Sequence, residues 1–214
     1  NANDFETVGG NEDVGTNPVT LSLIRSDIEG ISGYGAGGTI QVRGVMTDIA
    51  DNSTQFGTSS VDLISDQTAP TAPVTGDLTV SGGNEYPGYW NDTNTSLVVS
   101  IPLDADNTLV DGTIQLEADL NSASSFAVIG DDSTISSVSA NHDITLSATD
   151  LTNYGAGDGD VITMRAIVTD VAGNETTGTI GLNNLTVDYT FPGDFTVGLV
   201  TSVDNSVVAG YFNS

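Results

Sequence analysis

The chain has 214 residues, of which 29 are acidic, three are arginine and none is lysine, for a formal net charge of −26. Neutralising a nucleic-acid backbone or an anionic bilayer takes clustered Lys and Arg, so nucleic acid is excluded as a partner and so is an anionic membrane surface. The chain is 37% hydrophobic and only 15% charged, too apolar for a disordered acidic tail, and it has no cysteine for a disulfide, a thiol nucleophile or a Cys-based metal site.

In chain order, the first clear element is an alternation in which Ile40, Val42, Gly44 and Met46 share one face. A Thr-Asp-Ile-Ala-Asp-Asn turn follows at 47–52, and a proline-rich linker lies at 68–73. Strands are predicted over 76–81, 95–102, 112–118, 125–130, 142–148, 161–168 and 178–188, separated by polar turns such as Ser81-Gly82-Gly83-Asn84. In the strand at 161–168 the apolar face is Ile162, Met164, Ala166 and Val168. No stretch longer than one turn shows an apolar period of 3.6, so no helix is expected. No apolar run approaches the ~18 residues of a membrane span, and direct membrane insertion is not expected. Short, evenly spaced alternating strands predict an all-β fold of antiparallel sandwiches of immunoglobulin-like size.

The strands belong to a repeat. Laying residue n on residue n+122 pairs Arg43 with Arg165, Asp48 with Asp170, Asn52 with Asn174, Asp66 with Asp188, Pro70 with Pro192 and Tyr89 with Tyr211. Tyr-Gly-Ala-Gly recurs at 34–37 and 154–157. A period of this length is one folded domain rather than a solenoid unit, whose periods run roughly 20–50 residues. The expected organisation is tandem modules: 1–70 the C-terminal part of one, 71–190 a complete one, and 191–214 the start of a third. Proline at the linkers ends one sheet and favours extended backbone, so modules a few residues apart are expected to form a rod. The chain reads as a window on a longer array, with strand donation between copies as a lesser option.

The acid closing each last strand, the Thr-x-Pro linker after it (66–70 and 188–192) and Thr-Asp-Val-Ala-Gly-Asn at 169–174 resemble the tandem immunoglobulin-like repeats of large secreted bacterial adhesins and other cell-surface proteins. The resemblance implies β-sandwich modules strung into extracellular stalks, with calcium at or near their junctions. The positions it matches are the linker acids Asp66 and Asp188 together with Asp48 and Asp170, each linker acid 18 residues after its partner (66−48, 188−170). A hairpin of that length is expected to bring both to one pole.

Two further acid groups offer oxygens of the kind calcium takes: Asp104, Asp106 and Asp111 in one loop, and Asp158 and Asp160 in another. Asp104-x-Asp106 opens like an EF-hand loop, but Leu109 stands where that loop requires glycine. The alternative for every one of these acids is turn formation through its own backbone.

His142, the single histidine, has no counterpart one repeat away and is read as a surface residue. Arg43 and Arg165 are each expected to meet a carboxylate. Tyr89-Trp90 and Tyr211-Phe212 are one position seen twice, read as packing rather than a sugar platform. Five Asn-x-Ser/Thr sequons begin at Asn52, Asn91, Asn94, Asn174 and Asn184.

Three functions fit this pattern. The first is a non-catalytic stalk repeat whose partners are its neighbouring repeats; the second is a surface layer, sheath or filament in which other copies pack laterally; the third is a carbohydrate-binding module. Carboxylates abound, but no pair is set apart as acid and nucleophile, so enzymatic activity is not expected.

Overall fold

The computed structural model describes residues 5–15, 18–58 and 62–198. Tyr211-Phe212 and most of the expected third module lie outside them.

Residues 78–187 build two sheets around one core. Strands β5 (Leu78–Ser81), β7 (Ser96–Pro102) and β11 (Asn141–Ser147) form the smaller sheet, in the order β11-β7-β5. The larger sheet runs β10 (Ser133–Thr134), β8 (Thr113–Leu120), β12 (Val161–Thr169), β14 (Leu185–Val187) and β6 (Tyr89–Trp90), with β9 (Ala127–Val128) on β8 and β13 (Glu175–Thr177) on β12. All pairings are antiparallel except the parallel step from β14 to β6.

Period-2 alternation decides the core. From β7 come Leu97, Val99 and Ile101, from β8 Ile114, Leu116 and Ala118, from β12 Ile162, Met164, Ala166 and Val168, and from β11 Ile144 and Leu146, all in one buried cluster. Trp90 lies in it, 3% exposed, so the Trp half of the aromatic pair packs inward; Tyr89 stays outside, edge-on to Tyr86 at 5.6 Å between ring centroids.

Residues 5–65 hold two small ladders of the same design: β1 (Gly38–Ile40) with β4 (Leu63–Ser65), and β2 (Arg43–Thr47) with β3 (Ser53–Thr58). Their registers repeat those of the larger sheet at a shift of 122. Thr39↔Ile64 and Ile40↔Leu63 match Val161↔Thr186 and Ile162↔Leu185, and Thr47↔Ser53 and Met46↔Thr54 match Thr169↔Glu175 and Val168↔Thr176. β12 is one continuous strand because β8 zips its other edge from Ile162↔Leu120 to Thr169↔Thr113. In residues 5–65 no strand with β8's role is present among the described residues, and the corresponding stretch is broken at Gln41-Val42 into β1 and β2.

The helical content differs from expectation. α1 (Arg25–Glu29) and α2 (Ala148–Tyr154) are both too short to show an apolar period, and both are started by local capping. The Ser147 hydroxyl accepts from Asp150 N while the Asp150 carboxylate accepts from Ser147 N at 2.7 Å; Asp27 does the same for Ile24 N at 3.0 Å. The strand expected over 178–188 shrinks to β14, because 178–181 is held by the linker instead. Thr75 N donates to Thr179 O and Thr179 N to Pro73 O, leaving Pro70, Pro73 and Thr75 buried.

Burial separates equivalent positions sharply. Met164 and Val168 are each 1% exposed, whereas Val42 and Met46 are 42% and 44% exposed. Met164→Ala is therefore expected to cost about 2–5 kcal/mol. Val42→Ala is expected to stay within about 0.5 kcal/mol. Chemical denaturation of the two variants measures the contrast.

Candidate functional site

The acids at both ends of β12 are the candidate site, and the ladders set their positions. Asp170 follows the last residue of β12, and Asp160 precedes its first. Asp188 follows β14, whose antiparallel register (Val161↔Thr186) puts it beside the start of β12. Asp170 and Asp188 therefore lie at opposite ends of a strand about 30 Å long at roughly 3.3 Å per residue, not at the one pole expected from the sequence. The register of β1 with β4 separates Asp48 from Asp66 in the same way. Eighteen residues suggested a simple hairpin, but β13 and the linker contact take up the first half of the segment and β14 pairs with the far end of β12.

Each carboxylate has a local task. Asp48 Oδ1 accepts from Ala50 N at 2.9 Å and Asn52 N at 2.8 Å, and Oδ2 accepts from Asn52 Nδ2 at 2.9 Å. Asp170 repeats the set with Ala172 N, Asn174 N and Asn174 Nδ2 at 2.9, 2.8 and 2.9 Å. The turn needs a left-handed residue, supplied by Asp51 (φ 67°) in one loop and Gly173 (φ 88°) in the other. These donors hold the Asp48 carboxyl below the usual carboxylate range, the Asn52 side chain first among them. The two loops differ in burial: Asp48 is exposed and Asp170 is 4% exposed.

The linker acids form Asx turns, Asp66 Oδ1 accepting from Thr68 N at 2.9 Å and Asp188 Oδ1 from Thr190 N at 3.1 Å. Asp106 caps a short 3₁₀ turn, accepting from Thr108 N at 2.9 Å and Thr108 Oγ1 at 2.6 Å. Asp104 stays exposed while its backbone carbonyl accepts from Ser139 N.

Two assemblies result, one at each pole. At the first, Val171 N donates to Thr108 O, and Asn174 Nδ2 reaches Asp66 O at 3.4 Å, so the linker acid of residues 5–70 meets the Asp170 loop of the following segment. At the second, Asp158 accepts from Tyr189 N and Thr190 Oγ1, both at 2.6 Å, while Asp160 accepts from Asn121 Nδ2 at 2.7 Å and Gly157 N at 2.8 Å. These bonds lower both carboxyls, through Thr190 chiefly for Asp158 and Asn121 chiefly for Asp160.

Among the described residues no three His, Cys, Asp or Glu side chains converge on a point where a metal could sit. Calcium takes six to eight oxygens, and most of the carboxylates here face N–H and O–H donors.

Sequence reading missed two features. Asp119 is 3% exposed and accepts from Ser124 N and Ser125 N, and the Tyr154 hydroxyl donates to Ala118 O; burial first, then the Asp119 charge, raises the Tyr154 hydroxyl above its ordinary value. The alternation gave no signal for Asp119, which shares the outer face of β8 with Gln115 and Glu117 and is buried there by the 121–125 turn. Arg165 bridges to Glu117 (Nε–Oε2 2.7 Å, Nη2–Oε2 2.6 Å) and stacks over Phe126 at 4.1 Å, whereas Arg43 stacks over Phe5 at 3.7 Å and forms no ion pair among the described residues. In place of the carboxylate expected for Arg43, the Gln55 amide oxygen accepts from its Nε at 2.8 Å. His142 is half-buried and bonds Ser133, Nε2 to Oγ 2.8 Å.

No protein-family model matches the chain, and no curated protein matches it.

Asp170→Ala is expected to destabilise by about 1–3 kcal/mol, because it orphans the donors of a buried turn. Asp158→Asn tests the second pole through pH. A carboxyl lowered on folding adds stability that is fully present above its unfolded value of ~3.9 and is lost as pH falls through the folded value. The wild-type melting temperature is expected to exceed that of Asp158→Asn at pH 7, with the gap closing below about pH 4.

Proposed function

We propose that the chain is a non-catalytic structural repeat of a long extracellular surface protein, an adhesin-type stalk built from tandem immunoglobulin-like sandwiches. The observation that carries this reading is the recurrence, at a shift of 122, of both ladder registers and the Asp-x-x-x-Asn turn bonds in two segments joined by one docked linker, with Arg43 and Arg165, also 122 apart, each stacked on a phenylalanine. Repetition multiplies length, whereas a catalytic centre needs one copy.

In this reading the modules resist extension through their ladders. Each joint is limited by the linker, which adds the Val74↔Thr179 bridge to the next module and buries its prolines there. Calcium at the joints enters through the resemblance alone, and the joint here relies on hydrogen bonds. The joint between the segments is the linker itself, where Asn174 Nδ2 meets Asp66 O, and a joint of that kind favours a stalk over lateral packing.

Scattering by the chain in millimolar calcium and after chelation tests this. An elongated particle of unchanged maximum dimension is the expected result. Collapse on chelation assigns the joint to metal, and growth of large particles in calcium moves the chain to a surface layer or filament. A second check is Gly181→Val: a Cβ at Gly181 would sit 2.1 Å from Thr75 O, so the side chain is expected to push the linker off. The expected outcome is a more flexible particle, with about 1–3 kcal/mol of lost stability.

A further inference from the structure

Residues 71–190 are entered through the linker and left through the stretch after β14, and each of these stretches lies in a parallel pairing. At the entry, Thr179 N donates to Pro73 O at 2.8 Å and Thr75 N to Thr179 O at 3.2 Å, forming the parallel Val74↔Thr179 bridge. At the exit, Thr186 N donates to Gly88 O and Asp188 N to Trp90 O, both at 2.8 Å, across the parallel pair of β14 with β6. The remaining ladders of the two sheets are antiparallel.

We propose that these two parallel pairings form a mechanical clamp that carries tension along the array. The inference rests on the stalk reading, which sets where force enters and leaves, and it names the elements that bear that force.

Direction decides which bonds are loaded. Tension draws residue 70 back along the chain and residue 191 forward. In a parallel pair the earlier strand is then held from its N-terminal end and the later one from its C-terminal end. The strands slide past each other, and the bonds between them must yield together. Two parallel strands pulled from the same end instead separate one bond at a time.

Packing keeps water from the stretched bonds. Trp90, Leu185 and Val187 are at most 3% exposed at the exit, and Pro73 and Thr75 are buried at the entry. A hydrogen bond in such surroundings is stronger than one in water. The linker lies flush on 178–181, because Gly178 and Gly181 have no Cβ to meet Pro73 O and Thr75 O. Gly76 N then donates to Ser100 O at 2.8 Å and ties the linker to β7, the central strand of the smaller sheet. Beyond the exit, the Asp158 carboxylate accepts from Tyr189 N and Thr190 Oγ1 and anchors the two residues after Asp188.

The chain has no cysteine, so tethers placed by substitution define the pulling points. Single-molecule stretching of the whole chain carrying Gln67→Cys and Phe191→Cys, both at exposed positions, loads the clamp in shear. One high-force step is expected. It releases roughly 400 Å of chain, from 124 residues (191−67) at about 3.5 Å each less the folded span. Moving the first tether to Asp92→Cys, just past β6, pulls β6 and β14 from the same end, and the high-force step is expected to be lost. Gly181→Val in the Gln67/Phe191 geometry is expected to shift the step to lower force by pushing the linker off. Equal forces in the two geometries, or a step that Gly181→Val leaves unchanged, would overturn the proposal. Where the Gly181→Val chain fails to fold, the two geometries decide on their own. Solution scattering separates the clamp from the stalk: an elongated chain with equal forces loses only the clamp, and a compact chain that keeps its high-force step loses only the stalk.

Discussion

The ladder between β8 and β12 is the interaction on which the rest depends. It runs unbroken from Ile162↔Leu120 to Thr169↔Thr113 and puts Ile114, Leu116, Ala118, Ile162, Met164, Ala166 and Val168 on one face. That face is the floor of the core, and the β5-β7-β11 sheet has something to pack on only because it is continuous. The natural comparison lies in the same chain. Residues 38–47 have nearly the same alternation and the same partners on one edge, yet no strand lies along the other edge among the described residues, and the stretch is broken at Gln41-Val42. Hydrophobic burial needs two surfaces, and one alternating strand supplies half of one.

The acidic surface follows a second rule. With three arginines for 29 acids, most carboxylates have no cation to pair with, and those in the loops take backbone donors instead. Asp48, Asp66, Asp106, Asp158, Asp160, Asp170 and Asp188 each accept from an N–H, and most of those donors lie two to four residues away. The acids thus act first as turn formers and ladder terminators. The charge they carry is a property of the surface, and the geometry they make is a property of the loops. Their placement at the two ends of β12 still matters, because those ends are where one segment meets the next.

Much of the fold was legible. The strands at 95–102, 112–118, 142–148 and 161–168 correspond to β7, β8, β11 and β12 within two residues, because each alternates and each is long. β6, β10 and β13 were not legible, since two or three residues carry no period; they exist because a neighbour's edge was available. The short helices were hidden for a related reason, being set by capping at Ser147 and Asp27 rather than by an apolar stripe. The candidate site was legible as residue types and as a repeat. The pairing of Asp170 with Asp188 was misplaced because spacing in sequence does not reveal which end of a strand a returning strand meets.

Sequence alone determined the all-β class, the period of 122, the inward face of each long strand and the turn acids, because these depend on alternation, composition and local backbone chemistry. Tertiary structure alone decided which Asp faces which pole, that 70–76 is packed rather than free, that Trp90 is buried while Tyr89 is not, and that Arg165 finds Glu117 while Arg43 finds Phe5 and Gln55. Those outcomes depend on register between strands far apart in the chain, and register is fixed by what lies across the sheet.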